Sequence, residues 1–136
     1  AIGSVQLKKW TTLLQARIDN MKYFKELFQD VSWLRMQEEK HGDSTWFSFG
    51  CVLQGALKGK RDKVIQAFEE GGVEARPLAS GNFLNQPVVR NMPHYNHGNY
   101  EGAQDIDDNG FWVGNHSTDC KAGIFKMFTI LKGLAE

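Results

Sequence analysis

The chain has 136 residues, of which 41% are hydrophobic and 24% charged, and 16 basic residues balance 16 acidic ones. This length and composition are typical of one globular domain. The zero formal net charge argues against a nucleic acid or an anionic membrane as partner, because proteins that bind either usually carry a basic excess. The uncharged stretches are all shorter than the roughly 20 residues that cross a bilayer.

The two cysteines, Cys51 and Cys120, are too few for a disulfide framework or a zinc site. The start of the chain lacks the apolar core of a signal peptide. We therefore expect a cytoplasmic domain in which both thiols are reduced and lie in the core.

Apolar residues recur at steps of three and four through the first thirty residues, which predicts an amphipathic helix. Nothing that caps or breaks a helix precedes them except Gly3, so the helix is expected to be running already where the chain begins. That abrupt start favours a domain cut from a longer chain. The apolar residues are Leu7, Trp10, Leu14, Ile18, Met21, Phe24, Phe28 and Val31.

The middle of the chain predicts a strand, a helix and a second strand. Residues 45–53 alternate between polar and apolar side chains after a polar break at 38–43, which indicates a strand. Residues 61–70 follow a turn at 55–59 and predict a short helix that the Gly71–Gly72 pair ends. Residues 73–78 indicate another strand, truncated by Pro77, which cannot donate a ladder hydrogen bond.

Residues 79–109 show little periodicity and predict a long loop, which in a compact domain is usually functional or packed on another element. A brief strand at 111–114 follows, and then a helix that Ser117 or Thr118 is expected to cap. The order α-β-α-β-loop-β-α predicts a two-layer α+β domain, with helices packed on one side of a small, mostly antiparallel sheet.

The start of this loop carries the side chains best suited to a ligand: Arg76, Ser80, Asn82 and Gln86. A guanidinium binds anions, while hydroxyl and amide groups pair with sugar hydroxyls, so a phosphorylated or polyhydroxylated ligand fits. The alternative is that Asn82 and Gln86 tie down their own loop through bonds to its backbone.

Other polar residues point to weaker candidates. His116 lies between the last strand and the last helix, where a helix N-terminus favours an anion, although a capping or hinge role is equally open. His94 and His97 lack the Cys or acidic neighbours that would complete a metal site, so we expect no metal. The acidic run is expected to be a solvated face or a partner surface; it consists of Glu101, Asp105, Asp107 and Asp108.

Four segments resemble motifs of the DegT/DnrJ/EryC1/StrS family of sugar aminotransferases, in the same order along the chain. Residues 1–7 (AIGSVQL) and 72–77 (GVEARP) are similar to its AAIGLAQL and GIEVRP segments. Residues 80–88 (SGNFLNQPV) and 110–116 (GFWVGNH) are similar to SGNFLRQPV and GFFVGNH, which are most at home in the nucleotide-sugar 3-dehydrase branch and its O-antigen relatives. Asn85 departs from the family's frequent arginine.

This resemblance implies that residues 1–136 are the C-terminal small domain of a fold-type-I enzyme dependent on pyridoxal or pyridoxamine phosphate. The cofactor and the catalytic residues would belong to a preceding large domain absent from this chain. The implied partners are a nucleotide-linked 4-keto sugar, L-glutamate as amino donor, and a second subunit. By the same resemblance, Arg76, Ser80, Asn82 and Gln86 would lie near the substrate, with Asn115 and His116 behind them.

Three functions remain open. A lysine at the catalytic position of the large domain implies an aminotransferase, and a histidine implies a dehydrase that removes the 3-hydroxyl. The loop motifs favour the dehydrase. A free-standing, non-catalytic α+β interaction module is the third possibility, and it predicts a stable monomer without an exposed apolar face.

Overall fold

The computed structural model describes residues 2–136 and contains five α-helices and four strands. Ala1, the first residue of the N-terminal motif, lies outside the described residues. The helices are α1 (Ile2–Leu7), α2 (Trp10–Phe28), α3 (Arg61–Glu70), α4 (Glu101–Asn109) and α5 (Lys121–Ala135). The strands are β1 (Leu34–Met36), β2 (Ser48–Leu53), β3 (Ala75–Pro77) and β4 (Gly110–Gly114). Short 3₁₀ turns occupy Gly55–Leu57, Phe83–Asn85 and Pro87–Asn91.

The four strands form one antiparallel sheet in the order β1-β2-β4-β3. β4 is therefore a central strand, pairing Cys51 of β2 with Phe111 on one side and Arg76 of β3 with Trp112 on the other. Because β3 has only three residues, it covers only the middle of β4 along that edge.

Helices α2, α3 and α5 pack on one face of this sheet and enclose an aromatic core. Phe24 of α2 stacks on Phe49 of β2 with ring centroids 4.3 Å apart, and Phe68 of α3 meets Phe111 of β4 at 5.6 Å. Strand residues alternate between the two faces, so Phe49, Cys51 and Leu53 all contribute to this core. The predicted α+β class and antiparallel sheet are confirmed.

The predicted first helix is interrupted and shorter than expected. α1 ends in a turn at Lys8–Lys9, where the Lys9 N–H donates to the Gln6 carbonyl at 2.9 Å. α2 then ends at Phe28, so Val31 lies beyond it. The strand β1 that follows was not predicted, because three residues give too short an alternation and β1 is defined by its pairing with β2.

The predicted loop at 79–109 is wrong in its last third, which forms α4. Arg35 and Val52 point away from the core, and Arg35 Nη2 lies 3.2 Å from Asp105 Oδ2, which places α4 on the opposite face of the sheet. Helices therefore cover both faces rather than one. The acidic run is not simply solvated either, because Asp105 also lies 3.7 Å from the ammonium of Lys58.

The predicted caps have mixed outcomes. Gly71 is the C-cap of α3, and its N–H donates to the Ala67 carbonyl as expected. α5 is not capped by Ser117 or Thr118, because it begins after Cys120, where Asp119 Oδ1 accepts from the Lys121 N–H at 2.9 Å.

The two cysteines occupy different environments. Cys51 is fully buried, and that burial raises the pKa of its thiol. Cys120 is a free thiol that lies half-buried before α5, where it packs against the edge of the core. None of the helices within residues 2–136 combines the length and apolarity needed to cross a membrane.

Candidate functional site

Arg76 lies in the middle of the sheet edge, opposite Trp112. Its guanidinium carbon is 5.9 Å from the centroid of the Trp112 ring, and its Nη2 donates to Glu74 Oε1 at 2.7 Å. The side chain is exposed, so the ion pair with Glu74 is solvent-screened and weak. Arg76 can therefore exchange Glu74 for an anionic ligand.

A groove of about 560 Å³ opens beside Arg76, between the start of β3 and the start of α5. Its floor is apolar and its rim carries charged side chains. This combination suits an amphiphilic ligand or a packed segment of protein. Residues 72–74, 112–114 and 122–124 line it together with Phe49, Arg76, Cys120, Lys126 and Met127.

The loop that carries Ser80, Asn82 and Gln86 is bound to α4. Asn82 is 7% exposed; its Nδ2 donates to Gln104 Oε1 at 3.0 Å and its Oδ1 accepts from the Leu84 N–H at 3.2 Å. Gln86 Nε2 donates to the Ser80 carbonyl at 3.2 Å. These bonds are the ones expected if the two amides tie down their own loop, which leaves the hydroxyl of exposed Ser80 facing solvent.

Gly81 allows this loop to approach α4 closely. Its φ of +50° is in the left-handed region, and a Cβ there would lie 2.7 Å from the Asp107 Cα. Asn85 Nδ2 donates to Asp107 Oδ2 at 2.7 Å next to this contact. Asn85, where the family often has arginine, thus binds the helix with an uncharged amide.

His116 is exposed and follows β4, with its Nδ1 3.2 Å from Thr118 Oγ1. Directly before it, Asn115 is 2% exposed and its Nδ2 donates to the Trp46 carbonyl at 2.8 Å. Asn20 of α2 is 1% exposed, and its Nδ2 donates to Asn115 Oδ1 at 3.0 Å. An imidazole on a firmly held backbone can accept or donate a proton at a fixed place.

The structure separates the predicted site residues into two groups. Pro77 pairs with Phe111, so the loop with Ser80, Asn82 and Gln86 leaves the sheet where β4 begins. His116 lies beyond the other end of β4, and five residues at about 3.3 Å each put roughly 16 Å between the groups along the strand. Arg76 lies between them. An extended ligand such as a nucleotide sugar can reach both groups, whereas a single sugar ring cannot.

Sequence reasoning missed Asn20 and Gln104. Asn20 follows the same four-residue step as Phe24 and Phe28, and a polar residue on an apolar helix stripe indicates a buried, fully bonded group. Gln104 had no such signal, because its helix was not predicted. Within residues 2–136 there is no group of three or more His, Cys, Asp or Glu side chains placed to hold a metal ion.

Comparison with known proteins places this architecture among enzymes of one family. The sequence model of the DegT/DnrJ/EryC1/StrS aminotransferase family matches residues 1–126. GDP-4-keto-6-deoxy-D-mannose 3-dehydratase of Yersinia pseudotuberculosis is 37% identical over 133 residues, which are 97% of this chain and 34% of the relative. The chain therefore spans about a third of that curated relative.

Two solved structures resemble this fold closely. The Escherichia coli GDP-4-keto-6-deoxy-D-mannose-3-dehydratase with bound hydrated PLP has a TM-score of 0.86 at 33% identity, over 96% of this chain and 33% of that one. A GDP-4-keto-6-deoxymannose-3-dehydratase with a trapped PLP–glutamate geminal diamine has the same score and identity, over 96% of this chain and 34% of that one.

Proposed function

This chain belongs to the DegT/DnrJ/EryC1/StrS aminotransferase family, and from that membership we propose that residues 1–136 are the C-terminal small domain of a nucleotide-sugar 3-dehydratase. The observation that carries the proposal is the 37% identity, along nearly the whole chain, to a dehydratase of which it spans 34%. The cofactor and the catalytic base belong, on this proposal, to a large domain outside this chain.

The lysines in residues 2–136 are all exposed or half-buried. We propose that pyridoxal or pyridoxamine phosphate is bound mainly by the large domain, where it supplies the electron sink for loss of the 3-hydroxyl. The contribution of this chain is to bind and orient the substrate.

The roles of the candidate residues follow from their exposure. Exposed Arg76 pairs with a phosphate or other anion, and exposed Ser80 bonds a sugar hydroxyl. Asn82 and Gln86 act by holding the loop in shape, since their amides are bonded within the chain. His116 contacts the substrate from the other end of β4 and can hold a proton there.

The substrate class comes from the relatives' chemistry. We propose a GDP-linked 4-keto-6-deoxy sugar, the substrate named for the Yersinia relative. L-Glutamate is proposed as the amino donor, and the relative with a PLP–glutamate adduct supports this choice. The proposal includes a cytoplasmic homodimer that acts in O-antigen or deoxysugar biosynthesis.

An aminotransferase acting on a similar sugar is the second candidate, because the family that matches residues 1–126 is named for aminotransferases. The two candidates differ at one residue of the large domain. A lysine there can bond to the cofactor covalently, whereas a histidine can act only as a base.

The deciding experiment uses the full-length enzyme. It is loaded with pyridoxal phosphate and reduced with borohydride, and any added mass is mapped to a peptide; product formation from the GDP-linked 4-keto sugar and glutamate is followed by mass spectrometry. Bound cofactor without an adduct, together with a 3-deoxy product, supports the dehydratase. An adduct on a lysine with an amino-sugar product supports the aminotransferase, and an enzyme that binds no cofactor contradicts both.

The role of Arg76 is tested by a pair of variants in the same enzyme. Arg76→Ala is expected to raise KM about tenfold, since a charge-assisted hydrogen bond is worth about 1.5–3 kcal/mol. Glu74→Gln releases the guanidinium from its 2.7 Å partner and is expected to leave KM unchanged or lower it. Equal KM values for wild type and Arg76→Ala would show that Arg76 does not bind the substrate.

A further inference from the structure

Two buried asparagines join four segments of the chain at the base of His116. Asn20 Nδ2 lies 3.0 Å from Asn115 Oδ1, 3.2 Å from the His116 carbonyl and 2.7 Å from the Thr118 carbonyl. Asn20 Oδ1 accepts from the Cys120 N–H at 2.9 Å. One carboxamide on α2 thus bonds both sides of the exposed segment 116–119.

Asn115 holds the same junction from the sheet side. Its Nδ2 lies 3.1 Å from the Arg17 carbonyl in α2 and 2.8 Å from the Trp46 carbonyl before β2. Its own N–H donates to the Phe47 carbonyl at 3.1 Å. We call Asn20 and Asn115 together the asparagine pair; it connects α2, the segment before β2, the end of β4 and the start of α5.

The asparagine pair holds the backbone on both sides of the His116 side chain. The carbonyls of His116 and Thr118 are bonded to Asn20 in the interior, and both residues are exposed. Residues 115–120 form neither helix nor strand, so Asn20 replaces the backbone ladder that would otherwise fix them.

We propose that Asn20 and Asn115 are positioning residues of the enzyme, which act on the reaction through His116. This inference rests on the proposed function, because it assumes that His116 contacts the substrate. Without the amide of Asn20, the segment loses its inward bonds and the imidazole is no longer held at one place. Misplacement of a reacting group by about 1 Å can cost a hundredfold in rate.

The test is a double-mutant cycle in the full-length enzyme, with Asn20→Ser, His116→Ala and their combination. Asn20→Ser is expected to lower kcat at least tenfold when His116 is present, and no more than about twofold further when His116 is alanine. A fall in kcat by the same factor in both backgrounds would overturn the proposal, since Asn20 would then act independently of His116.

Asn109→Ser is the matched control for lost stability. Asn109 is 3% exposed and its Oδ1 accepts from the Gly59 N–H at 2.7 Å. It precedes β4, whereas His116 follows the other end of that strand. Asn109→Ser is expected to lower Tm as Asn20→Ser does. Its effect on kcat is expected to be the same whether residue 116 is histidine or alanine. Coupling between Asn109 and His116 as strong as that of Asn20 would overturn the proposal.

Two further measurements keep the inference testable. If Asn20→Ser does not fold, Asn115→Ser takes its place in the cycle, since it leaves the bonds from Asn20 to Thr118 and Cys120. The imidazole NMR signals of His116, assigned with His116→Ala, are expected to shift or broaden in the Asn20 or Asn115 variant and to stay unchanged in Asn109→Ser. Unchanged signals in every variant would overturn the inference.

Failure of the proposed function can be distinguished from failure of the inference about the asparagine pair. An enzyme that makes an amino sugar instead of the 3-deoxy sugar contradicts the dehydratase, while the same cycle measured on that reaction still tests the asparagine pair. An inactive enzyme contradicts the proposed function, and the NMR comparison then decides whether the pair holds His116.

Discussion

All the buried polar side chains in residues 2–136 are asparagines. A carboxamide both donates and accepts, so one side chain can bond the backbone of two segments without burying a charge. Asn82 connects the loop after β3 to α4, and Asn109 connects α4 to Gly59. Asn20 and Asn115 do the same below His116. These four buried amides thus set the positions of the segments that they bond.

Gly81 makes the close packing of the loop after β3 on α4 possible. Gly81→Ala combines a left-handed φ of +50° with a Cβ only 2.7 Å from the Asp107 Cα, so it is expected to destabilise the chain by about 3 kcal/mol. Gly98 has a φ of +85° and nothing near its Cβ, and Gly98→Ala should cost about 1 kcal/mol. Chemical denaturation of both variants measures the difference; equal losses would show that the contact with Asp107 is easily relieved.

Glu39 is an acidic residue whose titration should affect stability. Lys25 Nζ lies 2.8 Å from its Oε2 and the Ser44 N–H donates to its Oε1 at 2.8 Å, and these bonds lower the pKa of Glu39 below the usual 4.5. Their stabilisation is complete above that value and disappears as the pH falls through the lowered pKa.

The difference in unfolding free energy between wild type and Glu39→Gln is therefore expected to be present at pH 7 and to vanish in acid. Denaturant unfolding at a series of pH values measures it. Glu38→Gln is the control for the neighbouring carboxylate, whose ion pair is the local one with Lys40 at 2.9 Å. A pH-independent difference for Glu39→Gln would contradict the assigned ion pair.

Among the helices and strands, the contact of α2 with β2 forms the centre of the core. Phe24 is fully buried, and its ring centroid lies 4.5 Å from that of Phe28 and 4.3 Å from that of Phe49. Phe24→Ala is expected to lower the unfolding free energy by about 3–5 kcal/mol because it leaves a cavity. Phe125, 54% exposed on α5, is the control, and Phe125→Ala should cost less than about 1 kcal/mol. Similar losses would contradict this assignment of the core.

The molecule also exposes apolar surface at its N-terminal helices. A groove of about 390 Å³ lies there, lined by Leu7 and Trp10 among others, and these two side chains are 73% and 58% exposed. Exposed apolar patches usually mark a contact with another protein or domain. The proposed large domain or second subunit would cover it.

We therefore expect the isolated chain to bind a dye specific for apolar surface, and the combined Leu7→Ser and Trp10→Ser change to reduce the dye fluorescence by about half or more. Tyr95→Ser is the control, because Tyr95 is fully exposed in the loop before α4 and not on the N-terminal helices. An isolated chain that binds no dye would favour the free-standing interaction module over the enzyme domain.

The sequence by itself determined the helices and strands that have a local sequence pattern. Residues 61–70 alternate at helical spacing and end at a glycine pair, so the bounds of α3 could be predicted to the residue. The strands β2, β3 and β4 and the α+β class were predictable on the same basis. The candidate residues Arg76, Ser80 and His116 were found because each lies at the end of such an element or in a family motif.

The tertiary structure alone decided the parts that depend on distant partners. β1 is three residues that pair with β2, and α4 is a polar helix whose Gln104 binds Asn82 and whose Asp105 binds Arg35. Asn20 and Asn115 meet although 95 positions separate them. The helical spacing of Asn20 indicates that it is buried, but no pattern in either segment identifies its partner, so only the folded chain shows which polar residues bond to each other beside His116.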